Sequence, residues 1–459
     1  MRYTHLTLGL LSSALLWQSG CTAYRPEPLT PKVEMSTLRL RSPQSVQVPP
    51  AKTGIAPNNH SNQYDVSDGL NEAEMVMVAL SFNPDLRNRR HNISQIGHAD
   101  LFGMVRFKPE MRVNIDQATV GLATDSDMLY TLLMPNLRQA WNDDESARRD
   151  QSRAEVLVTE AKVVLEVRRT HVTVLAHELR LALARARNDH RQHLYRYVND
   201  DPMTSALERA LALVAWQRSS TSVRVTQGAV DDVRRELNSL LGFDPGTELL
   251  LSDQGKNLLA KRELTLNVED LDRQLLNGRF ELKIEEALYR RAEFSYSQAI
   301  MGQYPKLRLG PAVTYDREEG TSFKLGASVR LPWPDDAAQR AEDASVERDR
   351  ARASYVAKLH ALRAEAHKAN ARLARAITDL DALENQRTGA QETKTLAELQ
   401  RRIGAFSLSD YLPMIERCEA VEWEWVDAAL DYRLAGIDLD HATGRLNRYG
   451  SGGEPASAP

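Results

Sequence analysis

The chain of 459 residues is 42% hydrophobic and 27% charged, a composition that supports a folded core and excludes disorder over its whole length. Its formal net charge of −4 disfavours nucleic-acid binding, and no run of about 20 apolar residues follows the N-terminus, which excludes a helical membrane transporter. Its two cysteines, Cys21 and Cys418, are too few for a disulfide framework or a cysteine-based zinc site.

The N-terminus has the pattern of a signal peptide. A short apolar run from Leu6 to Trp17 ends in Gln18-Ser19-Gly20-Cys21. Small residues directly before a cysteine resemble a bacterial lipobox, so residues 1–20 are predicted to be removed and Cys21 to carry the lipid anchor. Thr22, in place of aspartate, favours the outer membrane. An ordinary secretion signal with an incidental cysteine is the alternative.

Two stretches are predicted to lie outside the folded body. Residues 21–68 are rich in Pro, Ser, Thr and Asn and are predicted to form a lipidated N-terminus and an extended tether. Residues 448–459 are predicted to form a flexible tail. The folded body therefore lies between about 69 and 447.

This body shows the same landmarks twice. Pro109 and Pro305 are 196 positions apart, while Pro135 and Pro332 are 197 apart, and the second proline of each repeat opens a long helical region. Two proline spacings that agree to within one residue indicate an internal tandem duplication. Each repeat reads as a helix, a β-hairpin and a long helical hairpin. The predicted repeats cover 69–250 and 251–447.

The opening helices and the first hairpin follow from local patterns. One amphipathic helix is expected from Met75 to about Phe107, and its counterpart from Leu271 to Gln303. The first hairpin, at about 110–134, alternates weakly. Its turn is expected at Ala123–Asp127, before a return strand at Met128–Met134.

The second hairpin, at about 306–332, alternates strictly, with a turn expected at Arg317–Thr321. Ten-residue alternation is typical of a membrane β-barrel with a polar lumen, and equally of a half-buried strand pair in a soluble domain. On the barrel interpretation the polar face supplies four candidate lumen residues. They are Arg308, Asp316, Lys324 and Arg330.

The helical regions are long. Neither proline nor glycine occurs from about Asn136 to Val198, and Gly389 is the single glycine from about Asp335 to Arg402. Each region corresponds to about 90 Å of helix, which indicates a coiled coil.

The two turns that follow these helices are the candidate tips. Asn199–Pro202 forms the first turn, and Ile403–Ser407 the second. Ser407 or Ser409 is able to cap the returning helix. Asp200, Asp201 and Asp410 are the acidic residues at or near these turns, and the second-turn residues are Gly404, Ser407 and Leu412.

Four segments carry a resemblance to the TolC family of outer-membrane efflux proteins. They are Asn83-Pro84-Asp85-Leu86 in the first helix, Leu237–Leu249 between the two halves, Gly404–Leu412 at the second turn, and Leu430–Ala435 with Leu439 and Ala442-Thr443-Gly444 in the closing helix. Their order and spacing resemble the family over about residues 70–447. The stretch from Tyr304 to Pro334 most resembles the heavy-metal, cobalt-zinc-cadmium branch.

The resemblance implies an α+β fold that is TolC-like: a long α-helical coiled-coil barrel and a transmembrane β-barrel to which each chain of a homotrimer contributes four strands. It implies a passive exit duct of a tripartite efflux system in the outer membrane of a Gram-negative bacterium. The duct extends into the periplasm and is coupled to an inner-membrane pump of the RND type through a periplasmic adaptor (membrane fusion) protein. In such a trimer Asp200, Asp201 and Asp410 form rings of negative charge around a constriction, and the resemblance makes them the candidate gate residues. Acidic residues in solvated turns and helix caps are the alternative interpretation.

Other classes of function find less support in the residues. No phosphate-binding loop, paired-carboxylate site or nucleophile motif appears, so no enzyme activity and no cofactor are predicted. No metal site is predicted, because the helical histidines lack converging ligands. They are His171, His177, His190, His193, His360 and His367. The alternative function is a tethered periplasmic coiled-coil scaffold or adaptor lipoprotein without channel activity.

Overall fold

The computed structural model describes nine segments of the chain. They are residues 30–41, 69–94, 109–114, 119–124, 135–252, 267–304, 306–316, 320–330 and 333–446. The chain divides into two units, Met1–Arg41 and Ser42–Pro459. Cys21, the predicted signal peptide at 1–20 and the predicted tail at 448–459 lie outside the described residues.

In the first unit the described residues form one helix. Helix α1 covers Pro31–Arg39 and begins with a proline in its first turn, where the missing N–H costs no hydrogen bond. The predicted extended tether at 21–68 therefore contains nine helical residues, a local helix that its proline and polar content does not indicate.

The second unit contains the remaining helices and all the described strands. In chain order they are α2 (Glu72–Phe82), α3 (Pro84–Ser94), β1 (Pro109–Asn114), β2 (Thr119–Thr124), α4 (Pro135–Asp200), α5 (Ala206–Leu241), α6 (Val268–Gly278), α7 (Phe280–Met301), β3 (Lys306–Asp316), β4 (Gly320–Arg330), α8 (Pro334–Arg402) and α9 (Leu408–Ala442). The long helices expected from the sequence are present, since α4 has 66 residues and α8 has 69.

Four of these helices pack side by side in the order α5–α4–α9–α8. Helix α7 continues this packing, because it contacts both α4 and α8. Among the residues that the structure describes, the core forms four apolar clusters distributed along the helices, in which leucine, valine and alanine predominate. Small side chains allow the long helices to lie close together over their length. None of the described helices combines the length and apolar character needed to cross a bilayer.

The strands form one antiparallel sheet in the order β1-β2-β3-β4. In the central pair, β2 and β3 align Val120 with Tyr315 and Ala123 with Ala312, so the two halves of the chain share the sheet. The β3–β4 pair is in register over eleven residues on each strand. The sheet is open at β1 and β4 in one chain.

The two halves repeat the same local structures at constant offsets. Helices α2 and α6 each have 11 residues, and their asparagine caps, Asn71 and Asn267, are 196 positions apart. Beyond the strands the offset becomes 202. It relates the caps Ser205 and Ser407 at the starts of α5 and α9.

The same offsets relate the joints at which α5 and α9 end. Gly242 and Gly444, 202 positions apart, have φ values of 76° and 72°, which glycine adopts without strain. A Cβ on Gly242 would lie 2.7 Å from the Phe82 carbonyl oxygen, and one on Gly444 would overlap the Gly278 carbonyl carbon. Phe82 and Gly278 are 196 positions apart, so both joints have the same construction.

The opening helices differ from expectation. The helix expected from Met75 to about Phe107 is broken at Asn83, before Pro84, and residues 95–108 lie outside the described residues. The helix expected from Leu271 to Gln303 is broken at Arg279, whose buried guanidinium donates to the carbonyl oxygen of His441 at 2.9 Å. Both predictions were wrong. The first break has a local cause, because Pro84 disfavours helical backbone at Asn83, whose side chain accepts from the amides of Asp85 and Leu86. The second break coincides with the contact of Arg279 with the end of α9.

The first hairpin also differs from expectation. Ala123, placed in the turn, belongs to β2 and is aligned with Glu110. Strand β2 pairs with β1 and β3 at once, a long-range constraint that local alternation does not reveal. Residues 115–118 and 125–134 lie outside the described residues. In the second hairpin β4 begins at Gly320, inside the expected turn, while residues 317–319 lie outside the described residues.

Candidate functional site

The first tip is a short turn between α4 and α5. Helix α4 ends at Asp200, and Ser205 caps α5 through a capping box with Glu208. The Asp201 carboxylate accepts a hydrogen bond from the Met203 amide at 2.9 Å. This local bond orders the turn, so Asp201 has a structural role within the single chain.

The second tip joins α8 to α9 with similar chemistry. Gly404 takes a left-handed conformation with φ of 73°. The Ser407 hydroxyl accepts a hydrogen bond from the Asp410 amide at 3.2 Å and donates one to the Asp410 carboxylate at 2.5 Å. Ser407 is therefore the cap, and Asp410 stabilises the start of the helix. Leu412 is buried one turn further on.

An apolar cluster brings the two tips to the same end of the helices. Val198 and Ala212 of the first tip pack with Leu408 and Ile415 of the second. The predicted gate residues therefore lie at one end of the second unit, where Asp200 and Asp410 are exposed and Asp201 is half-buried.

A row of ion pairs joins the two halves of the helical body. Arginines on α4 contact carboxylates on α9 at five places. The pairs are Arg168–Asp440, Arg169–Asp438, Arg180–Asp427, Arg187–Glu419 and Arg191–Glu419. In each pair the two residue numbers add to between 606 and 610, as expected for antiparallel helices in one fixed register.

This row was not predicted from the sequence, although the spacing of the arginines along α4 indicates it. Arg169, Arg180, Arg187 and Arg191 are separated by 11, 7 and 4 positions, steps that return to the same side of a helix. We define the α4–α9 seam as the nine residues of these five ion pairs, of which two share Glu419.

Near the tips the α4–α9 seam contains a buried charge. Arg191 is 1% exposed, and its guanidinium donates to Glu419 at 3.0 Å. Arg187 contacts the same carboxylate oxygen at 2.9 Å. The buried guanidinium of Arg191 has lost its hydration, and the Glu419 carboxylate compensates its charge. The stability of the ion pair therefore depends on that one carboxylate. Beside it the imidazole of His190 and the hydroxyl of Tyr411 lie 3.0 Å apart.

At the other end of the α4–α9 seam a neutral histidine is buried. His171 is 3% exposed and lies near Arg168, whose guanidinium contacts Glu72 and Asp440. Burial lowers the pKa of His171 to about 4, with Glu72 opposing and Arg433 and Arg168 adding to the shift. The imidazole is therefore uncharged at neutral pH.

The four candidate lumen residues lie on the longest strands. Strand register aligns Arg308 with Ser328, Lys324 with Ala312, Arg330 with Lys306, and Asp316 with Gly320. Within the segments that the structure describes, no group of three or more histidine, cysteine or acidic side chains is placed to hold a metal ion.

Solved structures of outer-membrane channels share this fold. The CusC channel has a TM-score of 0.68 at 14% identity, over 87% of this chain and 99% of CusC. The open MtrE channel of Neisseria gonorrhoeae has a TM-score of 0.67 at 16% identity, over 92% and 98%. The CmeC channel of Campylobacter jejuni has a TM-score of 0.63 at 14% identity, over 95% and 96%.

These channels are TolC-family proteins. The resemblance found in the sequence is thus confirmed at the level of the fold, over nearly the whole length of each compared channel. No protein-family model matches the chain, and no curated protein matches its sequence.

The buried ion pair predicts that replacing Glu419 strongly lowers the stability of the folded protein. In Glu419→Ala the buried Arg191 loses its compensating charge, so stability should fall by about 3–5 kcal/mol. The measurement is thermal unfolding in detergent, followed by circular dichroism. Glu424→Ala, at an exposed position of the same helix, is the control and should change stability by less than about 0.5 kcal/mol. Equal effects of the two substitutions would contradict the assignment.

The low pKa of His171 predicts a dependence of stability on pH. Between pH 6.5 and about 4 the unfolded chain binds a proton that the folded chain excludes, so stability falls as the pH is lowered through this window. Full loss amounts to about 3 kcal/mol.

The check is the unfolding midpoint at several pH values. His171→Gln should flatten the profile between pH 6.5 and 4, while the exposed His360→Gln control should keep the parent's slope. If His171→Gln keeps the parent's slope of stability against pH, groups other than His171 cause the pH dependence.

Proposed function

We propose that this protein is the outer-membrane exit duct of a tripartite efflux system, a passive trimeric channel that conducts substrate across the periplasm and the outer membrane. The observation that carries the proposal is the shared fold with outer-membrane channels over at least 96% of the length of CusC, MtrE and CmeC. An inner-membrane pump of the RND type supplies the energy, through a periplasmic adaptor at the helical tips. The protein itself does no covalent chemistry.

The open sheet supports a trimer. A sheet in lipid must leave no unpaired edge, and β1 and β4 are both edges in one chain. Four strands do not close a barrel, whereas three copies supply twelve. Strands β3 and β4 have 11 residues each, within the length that a tilted strand needs to cross a bilayer.

The constant offsets support a tandem duplication. Offsets of 196 before the strands and 202 after them relate caps, helix lengths and glycine joints. A duplicated chain places two similar helical hairpins and two strand pairs in each copy. A periplasmic adaptor usually has one helical hairpin, so this organisation favours the duct over the tethered scaffold.

Two further assignments complete the proposal. Lipidation of Cys21 anchors each copy to the outer membrane, since several acyl chains hold a protein firmly where one does not. Arg308, Lys324, Arg330 and Asp316 line the barrel lumen, because the strand period of two puts polar residues on the face opposite the lipid.

At the periplasmic end of the duct the acidic residues form a constriction of the pore and select for cations. Asp200, Asp201 and Asp410 lie at the same end of the helices, and threefold repetition makes rings of negative charge. Such rings favour cations and repel one another. Asparagine is the informative replacement, because it removes the charge and keeps an oxygen for the bonds to Met203 and Ser407.

Conductance in a planar lipid bilayer tests the duct. The purified protein should form stable, cation-preferring channels, and Asp200→Asn/Asp201→Asn/Asp410→Asn should lower their preference for cations, because the rings lose their negative charge. Glu248→Gln/Glu269→Gln, at exposed positions away from the tips, is the control and should conduct as the parent does.

Each outcome bears on a different part of the proposal. If channels with the triple substitution keep the parent's cation preference, the proposed duct stands and the proposed gate is contradicted. Folded protein that never inserts or conducts would contradict the duct and favour the tethered scaffold.

A further inference from the structure

A histidine and a tyrosine connect α4 to α9 close to the tips. The Nε2 atom of His190 and the hydroxyl oxygen of Tyr411 lie 3.0 Å apart, and the centroids of their rings are 6.4 Å apart. Tyr411 is 2% exposed and belongs to the apolar cluster that joins the two tips, while His190 is half-buried. A titratable side chain therefore takes part in the contact that holds the tips together.

The surroundings of this pair are rich in hydrogen-bond donors and poor in acceptors. Arg187 and Arg191 both contact the same carboxylate oxygen of Glu419, at 2.9 and 3.0 Å. Among the described residues, the Nη1 atom of Arg191 is buried and has no hydrogen-bond partner. One donor is already unsatisfied, so a further N–H group at this place would compete for the same carboxylate.

The charges near the pair are also unbalanced. In the part of the chain that the structure describes, four cations and two carboxylates on three helices act on the imidazole or the phenol or contact each other beside them. They are Arg187 and Arg191 of α4, Lys394, Glu398 and Arg401 of α8, and Glu419 of α9. Protonation of His190 would add a further positive charge where cations already exceed carboxylates, and partial burial weakens its screening by water.

These surroundings disfavour the charged form of the imidazole. Burial lowers the pKa of His190, and Arg191 and Lys394 add to the shift. Glu398 and Glu419 oppose it without reversing its direction. His190 is therefore neutral at neutral pH in the arrangement that the structure shows.

The hydrogen bond between the two rings depends on the same protonation state. Burial raises the pKa of Tyr411 to about 12, so the phenol keeps its proton. In a neutral imidazole Nε2 can accept a hydrogen bond from that hydroxyl, whereas in the imidazolium both ring nitrogens are donors. A charged His190 thus replaces an acceptor by a donor in a place that has too few acceptors.

We propose that protonation of His190 loosens the contact between α4 and α9 at the tips, so that acid widens the periplasmic end of the duct. This inference rests on the proposed duct and names a residue that regulates it. A charged His190 gains hydration when the first turns of α9 move away from α4. The ion pairs of Arg169 and Arg180 lie further along the α4–α9 seam and keep the rest of the two helices together.

The direction of the pH dependence follows from the pKa of His190. In the closed arrangement this pKa lies below 6.5, and hydration in the loosened arrangement returns it to about 6.5. Below pH 6.5 the loosened arrangement binds a proton that the closed one excludes, so acid shifts the equilibrium toward loosening. One histidine in each copy shifts this equilibrium by at most about tenfold for each pH unit.

Hydrogen–deuterium exchange of the full-length protein in detergent measures the loosening. After correction for intrinsic exchange rates, amides of residues 187–198 and 408–419 should exchange up to about tenfold faster at pH 5.5 than at pH 6.5. Equal corrected rates at the two pH values would overturn the proposal.

Two histidine variants identify the group that responds. His190→Gln keeps a hydrogen-bonding side chain that does not titrate, so its corrected rates should be the same at both pH values. His193→Gln, at an exposed position three residues further on, is the matched control and should respond as the parent does. Both variants keep His171, so its effect on overall stability is common to them. An acid response that His190→Gln retains would overturn the proposal.

A charge variant tests the same joint with His190 in place. Lys394→Glu puts a carboxylate beside the imidazole, which favours its charged form and should reduce the difference in rate between pH 6.5 and 5.5. Lys368→Glu, at an exposed position of the same helix, is the control and should keep the parent's response. Equal responses of the two lysine variants would contradict the role given to the charges around His190.

Conductance in a planar lipid bilayer separates this proposal from the duct on which it rests. Between pH 6.5 and 5.5 the conductance of the parent and of His193→Gln should rise more than that of His190→Gln. Channels whose conductance and exchange rates are the same at both pH values would overturn the acid response and leave the duct intact. Folded protein that never conducts would contradict the duct, and the exchange rates of the parent and His190→Gln would still decide whether His190 controls the joint.

Discussion

The ion-pair row between α4 and α9 sets the arrangement of the long helices. Each half contributes an apolar helical pair, α4 with α5 and α8 with α9, and the arginines of α4 fix how the two pairs meet. Because one helix carries the cations and the other the anions, the register is specified, whereas two apolar faces would tolerate slippage. Burial of Arg191 makes separation costly at the tip end.

Once this seam is fixed, the chain is left with open edges. The sheet ends at β1 and β4, and the helices end at α5 and α8. A lipid environment cannot satisfy the unpaired backbone groups of a strand edge. The edge helices also expose large apolar side chains, among them Val214 on α5 and Leu396 on α8. Both open edges are consistent with the ring of copies that we propose, and the fold that the chain shares with solved channels supports that proposal.

Much of the fold was predictable from the sequence, and the predictions that were wrong have physical causes. The long helices follow from stretches almost free of proline and glycine, and Ser407 as a cap follows from local chemistry. The break at Arg279 was not predictable, because its contact partner, His441, lies 162 positions away. The location of β2 was missed for a similar reason, since its pairing with β3 joins distant halves. At the tips the acidic residues were identified from the sequence, whereas the hydrogen bonds of Asp201 and Asp410 could be identified only from the structure.

We propose that copies of this chain close one continuous duct. Single-particle electron microscopy of the purified protein in lipid nanodiscs would show this arrangement. We expect a threefold particle with a sheet-lined pore in the disc and a hollow helical wall extending about 100 Å from it. A particle with one copy of the chain, or a bundle of helices without a central passage, would contradict the proposed duct.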